Sequence, residues 1–208
     1  MNKTITYYNQ NAEEYFNNTV NVSMQELYDQ FEAYLKPGDK ILDLGCGSGR
    51  DSRYFLSKGY DVVSVDGSKE MCRLAEKYIG RDVRNITFAE LDYNNEFDAV
   101  WASASLLHIS KNNLPEILRK IYCALMSHGI IYSSWKYGGE DRIINGIPYY
   151  NYREESIFSE FDSMSFNIEY SWLTGDNMGR RDKWINIIAK KRKVFWRNHN
   201  YSSCILLG

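Results

Sequence analysis

Three glycines fall at every second position in the stretch ILDLGCGSGR, residues 41–50: Gly45, Gly47 and Gly49. Glycine accepts left-handed backbone and, lacking Cβ, lets a main chain come close to a ligand. An apolar run precedes the glycines and carries Asp43. A second apolar run, DVVSVD, ends on Asp66, 21 residues after Gly45. Strand, glycine loop, helix, strand and acid, in that order, form the pattern of a nucleotide-binding turn, in which the acid hydrogen-bonds ribose hydroxyls.

Two details speak against a dinucleotide. The third glycine of GxGxxG would fall at position 50, which is Arg50. Asp43 stands two residues before Gly45, where a carboxylate would repel a pyrophosphate and suit a ligand bearing an ammonium and a sulfonium. S-adenosylmethionine carries both charges and no phosphate, so it is the expected cofactor. A nicotinamide dinucleotide stays open only if Asp43 points away from the ligand.

The elements around these residues can be read from periodicity. Met24, Leu27, Tyr28, Phe31, Tyr34 and Leu35 recur at helical spacing. Strands are expected at Ile41–Leu44 and Asp61–Asp66, with a helix over 50–58 between them. Ser68 can cap a helix with an apolar face of Met71, Leu74, Ala75, Tyr78 and Ile79, stopped by Gly80. A short strand near Ile86–Phe88 follows, then a strand over Phe97–Ala102. The stripe Leu114, Ile117, Leu118, Ile121, Leu125 marks another helix, with Pro115 in its first turn. Then come a strand at Gly129–Trp135, a helix at Glu154–Phe161, and strands at Phe166–Trp172 and Trp184–Ala189. Alternating strands and helices imply a mostly parallel sheet covered on both faces. No helix separates the last two strands, so they form a hairpin and the final strand runs antiparallel. The gap from Phe88 to Phe97 is too short for a crossover helix.

The length, 208 residues, suits one domain. No apolar run approaches the ~20 residues of a membrane span, and MNKTITYYNQNAEEY has no apolar signal-peptide core. Cys46, Cys72, Cys123 and Cys204 are scattered, without metal-like spacing, and no metal is expected. Free thiols without an export signal point to the cytoplasm. From Lys190 onward there are five Lys or Arg and no acid, which leaves 20 bases against 27 acids in the body. An acidic body is not a nucleic-acid binder's footprint.

DLGCGSGR, VDGS, FDAVWASASLLHI and HGIIYSSWKYG resemble the successive motifs of class I S-adenosylmethionine-dependent methyltransferases, most closely small bacterial enzymes of the tellurite-resistance and ubiquinone-biosynthesis type. The resemblance implies an α/β, Rossmann-like class I methyltransferase fold. Its seven-stranded sheet is mostly parallel, in the order 3-2-1-4-5-7-6, with an antiparallel last strand and helices on both faces. It implies a methyltransferase domain over 1–190, with an N-terminal lid segment over about 1–35 and a basic tail at 191–208. It places Asp43, Gly45, Cys46, Gly47 and Gly49 along the methionine part of the cofactor, Asp66 on the ribose, and Gly67, Ser68 and Met71 beside the adenine. Glu90 and Leu91 stand where the family meets the adenine amino group, and Ala102 and Ser103 lie beneath the sulfonium. Arg50 would pair with the cofactor carboxylate. The lid would bring Tyr7, Tyr8, Tyr15 and Phe16 over the site.

Methyl transfer needs a base only where the acceptor must lose a proton; the candidate is His108, past the fourth strand. His128, at a strand start on the opposite edge, reads as structural, and His199 lies in the tail. The acceptor would lie among Tyr137, Tyr150, Arg153 and Arg180, on two loops at the same edge. Tyrosines and arginines there suit a planar or anionic small molecule. The expected function is methylation of a small molecule on O, N or S by a monomer or homodimer. The alternatives are an RNA methyltransferase and a cofactor-binding regulatory module without turnover.

Overall fold

The computed structural model describes residues 2–193. His199 and all but the first three residues of the basic tail lie outside them. Seven strands form one sheet in the order β3-β2-β1-β4-β5-β9-β8. They are β1 (Lys40–Leu44), β2 (Asp61–Asp66), β3 (Val83–Asn85), β4 (Phe97–Ala102), β5 (Leu125–Lys136), β8 (Phe166–Gly175) and β9 (Lys183–Lys191). β1 to β5 pair in parallel, and β9 is antiparallel to both β5 and β8. The hairpin expected from the missing last helix is thus present.

The helices are α1 (Lys3–Gln10), α2 (Ala12–Thr19), α3 (Gln25–Glu32), α4 (Arg50–Ser57), α5 (Lys69–Ile79), α6 (Leu114–Ala124) and α7 (Glu154–Ser163). Local chemistry sets the ends of α5. The Ser68 hydroxyl accepts from the Met71 amide at 3.2 Å, and Gly80 closes the helix at φ +75°.

Strand alternation sends successive residues to opposite faces of the sheet. Leu42, Leu44, Val100 and Ile131 meet Leu114, Leu118, Ile121, Ile157 and Phe161 from α6 and α7. Ile41, Ala99, Trp101 and Tyr132 meet Leu27, Tyr28, Phe31 and Phe55 from α3 and α4. There Trp101 stacks on Tyr132 at 4.0 Å. Burying a side chain such as Phe31 contributes roughly 1.5–3 kcal/mol.

Three expectations need correction. β3 lies at Val83–Asn85, upstream of Ile86–Phe88, and residues 88–90 form a single 3-10 turn. α3 packs into the core and brings Leu27 to the glycine-loop edge beside Val22 and Met24, while α1 and α2 overlie that edge. Residues 136–153 contain a small hairpin of β6 (Arg142–Ile144) and β7 (Ile147–Tyr149). Cys46 and Cys72 are free thiols. Among the described residues, no helix is long and apolar enough to cross a membrane.

Candidate functional site

The carboxyl ends of β1, β2 and β4 converge on the glycine loop. Gly45, Gly47 and Gly49 have φ of +79°, +53° and +77°, the left-handed region that favours glycine. A Cβ on Gly45 would stand 2.7 Å from Ser105 Cβ. The loop therefore passes the segment after β4 at a distance only glycine permits. That segment is itself strained, with Ala104 at φ +49° and its amide held by Ser134 Oγ at 2.8 Å.

Asp66 ends β2 at the rim of this loop. Its Oδ2 accepts from the Gly47 amide at 3.0 Å and its Oδ1 from the Ser68 amide at 2.8 Å. Burial raises its pKa, and the two N–H donors oppose that shift.

A cavity of about 570 Å³ spreads over the edge. Asp66, Gly67, Ser68 and Met71 line one end, with Tyr8, His108 and Tyr150 at another. A smaller cavity of about 120 Å³ adjoins it, with Cys46, Arg50, Asp51, Trp184 and Arg180 in its wall. Tyr15, Gly45, Gly47, Ser103 and Ala104 line both. Tyr15 lies against the loop, with a ring atom 3.4 Å from where a Gly47 Cβ would stand.

α1 and α2 cover this edge. Asn9 Oδ1 accepts from Ser68 Oγ at 2.8 Å and from the Glu70 amide at 3.1 Å, which ties α1 to the start of α5. Ile5 rests on Gly67. The Tyr8 hydroxyl lies 3.0 Å from His108 Nε2, and His108 Nδ1 lies 2.9 Å from the Pro148 carbonyl. Burial, and secondarily Lys136, lower the His108 pKa, while the Pro148 hydrogen bond raises it.

Several expected contacts are not made. Asp43 shares its strand face with Ile41, toward α4 and away from both cavities, and accepts from Ser52 Oγ at 2.5 Å. Burial pushes its pKa up to about 8, with Asp51 adding to the rise. The charge argument from Asp43 therefore falls. Arg50 reaches the smaller cavity, but its guanidinium is committed to Asp51 at 2.6 and 3.0 Å. Glu90 is exposed and closes a capping box on Thr87 at 2.8 Å. Leu91 is buried in the α6 core, so neither residue meets the larger cavity. Tyr7 accepts from Asn145 at 3.3 Å instead of lining a cavity. Tyr137 bonds Glu154 at 3.0 Å, and the Arg153 guanidinium lies beside Gly139, also off the cavities. Arg180 lines the smaller cavity, paired to Asp176 at 2.8 Å.

The geometry also shows residues that sequence reasoning missed. Asp51 accepts from Arg50, from Tyr28 Oη at 2.5 Å and from Trp101 Nε1 at 2.8 Å, which fixes the start of α4 beneath the loop. Nothing in the spacing of these residues announces the cluster. Asn9 likewise has no local signal. Ser105 Oγ, at the wall of the larger cavity, is buried without a protein partner.

The edge suits an adenosine-type ligand. Bare backbone lies where a Cβ would clash, a carboxylate is fixed at the rim, a hydroxyl is orphaned beside it, and the volume falls within the ~300–1,000 Å³ of small-molecule sites. The sheet order with β9 reversed is the Rossmann-like class I methyltransferase arrangement. Known structures of this fold align over most of the chain. The 1,6-didemethyltoxoflavin-N1-methyltransferase of Burkholderia thailandensis covers 92% of this chain and 86% of its own, with a TM-score of 0.75 at 21% identity.

Residues 41–129 match the family model described as a methyltransferase domain. The chain carries a class I SAM-dependent methyltransferase domain, a class whose cofactor is S-adenosylmethionine. The putative methyltransferase YqeM of Bacillus subtilis is 31% identical over 128 residues, covering 52% of this chain and 50% of that protein. The probable S-adenosyl-L-methionine-dependent methyltransferase TehB of Haemophilus influenzae is 29% identical over 87 residues, 39% of this chain and 30% of that protein. The chain thus spans half or less of the length of these two relatives.

Proposed function

We infer that the protein binds S-adenosylmethionine over the glycine loop and transfers its methyl group to a small molecule. The observation that carries this is Asp66, oriented at the rim of the larger cavity by the Gly47 and Ser68 amides. A carboxylate held by two backbone donors keeps lone pairs for two vicinal hydroxyls. Met71 and Gly67 offer an apolar wall and a close backbone approach for the adenine. Gly45 and Gly47 admit the methionine part, with Tyr15 above and Ser103 below. Arg50, even paired to Asp51, would hold the carboxylate end from the wall of the smaller cavity.

S-adenosylmethionine supplies a methyl group already activated by its sulfonium. The chain contributes position and exclusion of water. α1 and α2 close the edge through Asn9, Ile5 and Tyr15. His108, neutral at pH 7 because burial lowers its pKa, can take a proton at Nε2.

The test is calorimetric titration with S-adenosylhomocysteine, followed by methyl-labelled S-adenosylmethionine and a cell extract split into small-molecule, RNA and protein fractions. The expected result is binding, with label in the small-molecule fraction and none with Asp66→Ala. Label in RNA would replace the acceptor class. Binding with no label in any fraction would favour a sensing module.

A further inference from the structure

His108 and Tyr8 define the chemistry of the acceptor. The Pro148 carbonyl can only accept a hydrogen bond, so His108 Nδ1 carries the ring proton and points it at that oxygen, 2.9 Å away. Nε2 is then an acceptor, and its donor is the Tyr8 hydroxyl at 3.0 Å. Burial holds the Tyr8 phenol well above its ordinary pKa, so it is a neutral O–H donor. Both residues line the larger cavity. The group now seated on the candidate base is therefore an uncharged phenol.

Charge narrows the class further. The Lys and Arg side chains that line the two cavities are Lys3, Arg50 and Arg180. Arg50 is paired to Asp51 and Arg180 to Asp176, and Lys3 is exposed at the rim. The larger cavity also presents Asp66 and Glu116. An anionic acceptor would meet carboxylates and no unpaired buried cation. The surfaces around His108 suit a flat ring: Tyr150, Pro148, Ile109 and Ile117 line the cavity, and Tyr149 packs edge-on against the imidazole at 4.7 Å.

We propose that the acceptor is an uncharged hydroxyaromatic molecule that takes the place of Tyr8 on His108 Nε2 and is methylated on oxygen. This rests on the methyl-transfer reading above. The acceptor oxygen forms a bond to the methyl carbon as the carbon–sulfur bond breaks, its electron pair leaving with sulfur. The hydroxyl proton passes to Nε2. The resulting imidazolium keeps its Nδ1–H on Pro148 and gives its Nε2 proton to water when α1 opens. Tyr8 acts as an internal competitor that covers the base between turnovers.

The experiment compares 4-methylphenol, the tyrosine side chain as a free molecule, with 4-methylbenzoate and 4-methylanisole. Each is titrated by calorimetry into the full chain loaded with S-adenosylhomocysteine, while the His108 ring nitrogens are followed by NMR. The expected result is that 4-methylphenol binds and moves the Nε2 signal, and that the anion and the ether bind at least ~10-fold more weakly. Tyr8→Phe keeps the ring and removes the competing hydroxyl, so it should bind 4-methylphenol ~3-fold or more tightly than the unaltered chain. Equal or tighter binding of 4-methylbenzoate, phenol binding that leaves Nε2 unmoved, or no phenol binding to the loaded chain would each overturn the proposal. Failure of S-adenosylhomocysteine itself to bind would instead overturn the methyl-transfer reading.

Discussion

The Tyr28 hydroxyl donates to Asp51 Oδ1 at 2.5 Å, beneath the glycine loop and away from solvent. This contact joins α3, on one face of the sheet, to the first turn of α4, which the loop feeds. Asp51 also takes Trp101 Nε1 from β4 and the Arg50 guanidinium. Tyr28 and Trp101, both distant in sequence, and the neighbouring Arg50 thereby hold the start of α4 at one carboxylate.

Asp51→Ala should be among the most destabilising substitutions in the chain. It strands the Arg50 charge in a buried site and leaves Tyr28 and Trp101 without their acceptor, at a cost of about 3–5 kcal/mol. Tyr28→Phe removes one donor while others remain, at about 1 kcal/mol. Denaturant titration of both variants checks the order. Similar values for the two would mean that Arg50 finds water or another partner.

Gly45→Ala tests the cradle separately from charge. An alanine at φ +79° is strained by roughly 1–2 kcal/mol, and its Cβ would stand 2.7 Å from Ser105 Cβ. The variant should lose both stability and S-adenosylhomocysteine affinity. Adding Ser105→Gly relieves the contact and leaves the backbone strain, so the double variant should recover only part of the loss. Full recovery would show that φ at this position is inexpensive.

How legible this site was depended on whether its cause was local. Ser68 and Gly80 were readable because a cap is decided within four residues. Asp66 was readable because strand end and acid recur at a fixed interval from the loop. The direction of Asp43 was also present in the sequence: alternation puts it with Ile41 and opposite Leu42 and Leu44. Which face α4 covers is a tertiary fact, however, and it turned an expected ligand contact into a buried partner of Ser52. Asn145-Gly146, between Ile143, Ile144 and Ile147, is a hairpin signal, and the chain does turn there with φ of +52° and +79°. The tyrosines around it drew attention to ligand chemistry and hid the turn. The Asp51 cluster had no local trace.

Asp43 also gives the protein a pH dependence. Burial, Asp51 and Asp66 raise its folded pKa to about 8, against the lowering effects of Ser52 and Arg50. Ser64, bonded to the same Ser52 hydroxyl, is the polar group facing it from β2. A folded pKa above the unfolded value means that the folded state holds the proton longer. The stability this contributes is complete below about pH 4 and is lost as pH rises through about 8. Asp43→Asn removes that slope. Its melting temperature relative to the unaltered chain should rise steadily between about pH 4 and 8 and level off above. A difference that does not vary with pH would mean that Asp43 is ionised throughout.

Asp66 separates ligand binding from loop support, because its two oxygens serve both. Asp66→Ala should weaken S-adenosylhomocysteine by about 1–3 kcal/mol, the range for charge-assisted hydrogen bonds lost from a buried acceptor. Part of that loss could arise because Gly47 and Ser68 lose their acceptor and the loop loosens. Asp66→Asn distinguishes the two. Its carbonyl oxygen can still serve one amide, but its NH2 group opposes the other amide and must turn toward the ligand. If Asp66 acts mainly on ribose hydroxyls, the asparagine variant keeps intermediate affinity while its ligand-free melting temperature falls only by the loss of one amide's acceptor. If its role is to fix the loop, the ligand-free chain melts earlier in both variants, and affinity falls in proportion to that loss. Calorimetry beside thermal denaturation, each on the two variants, decides between them.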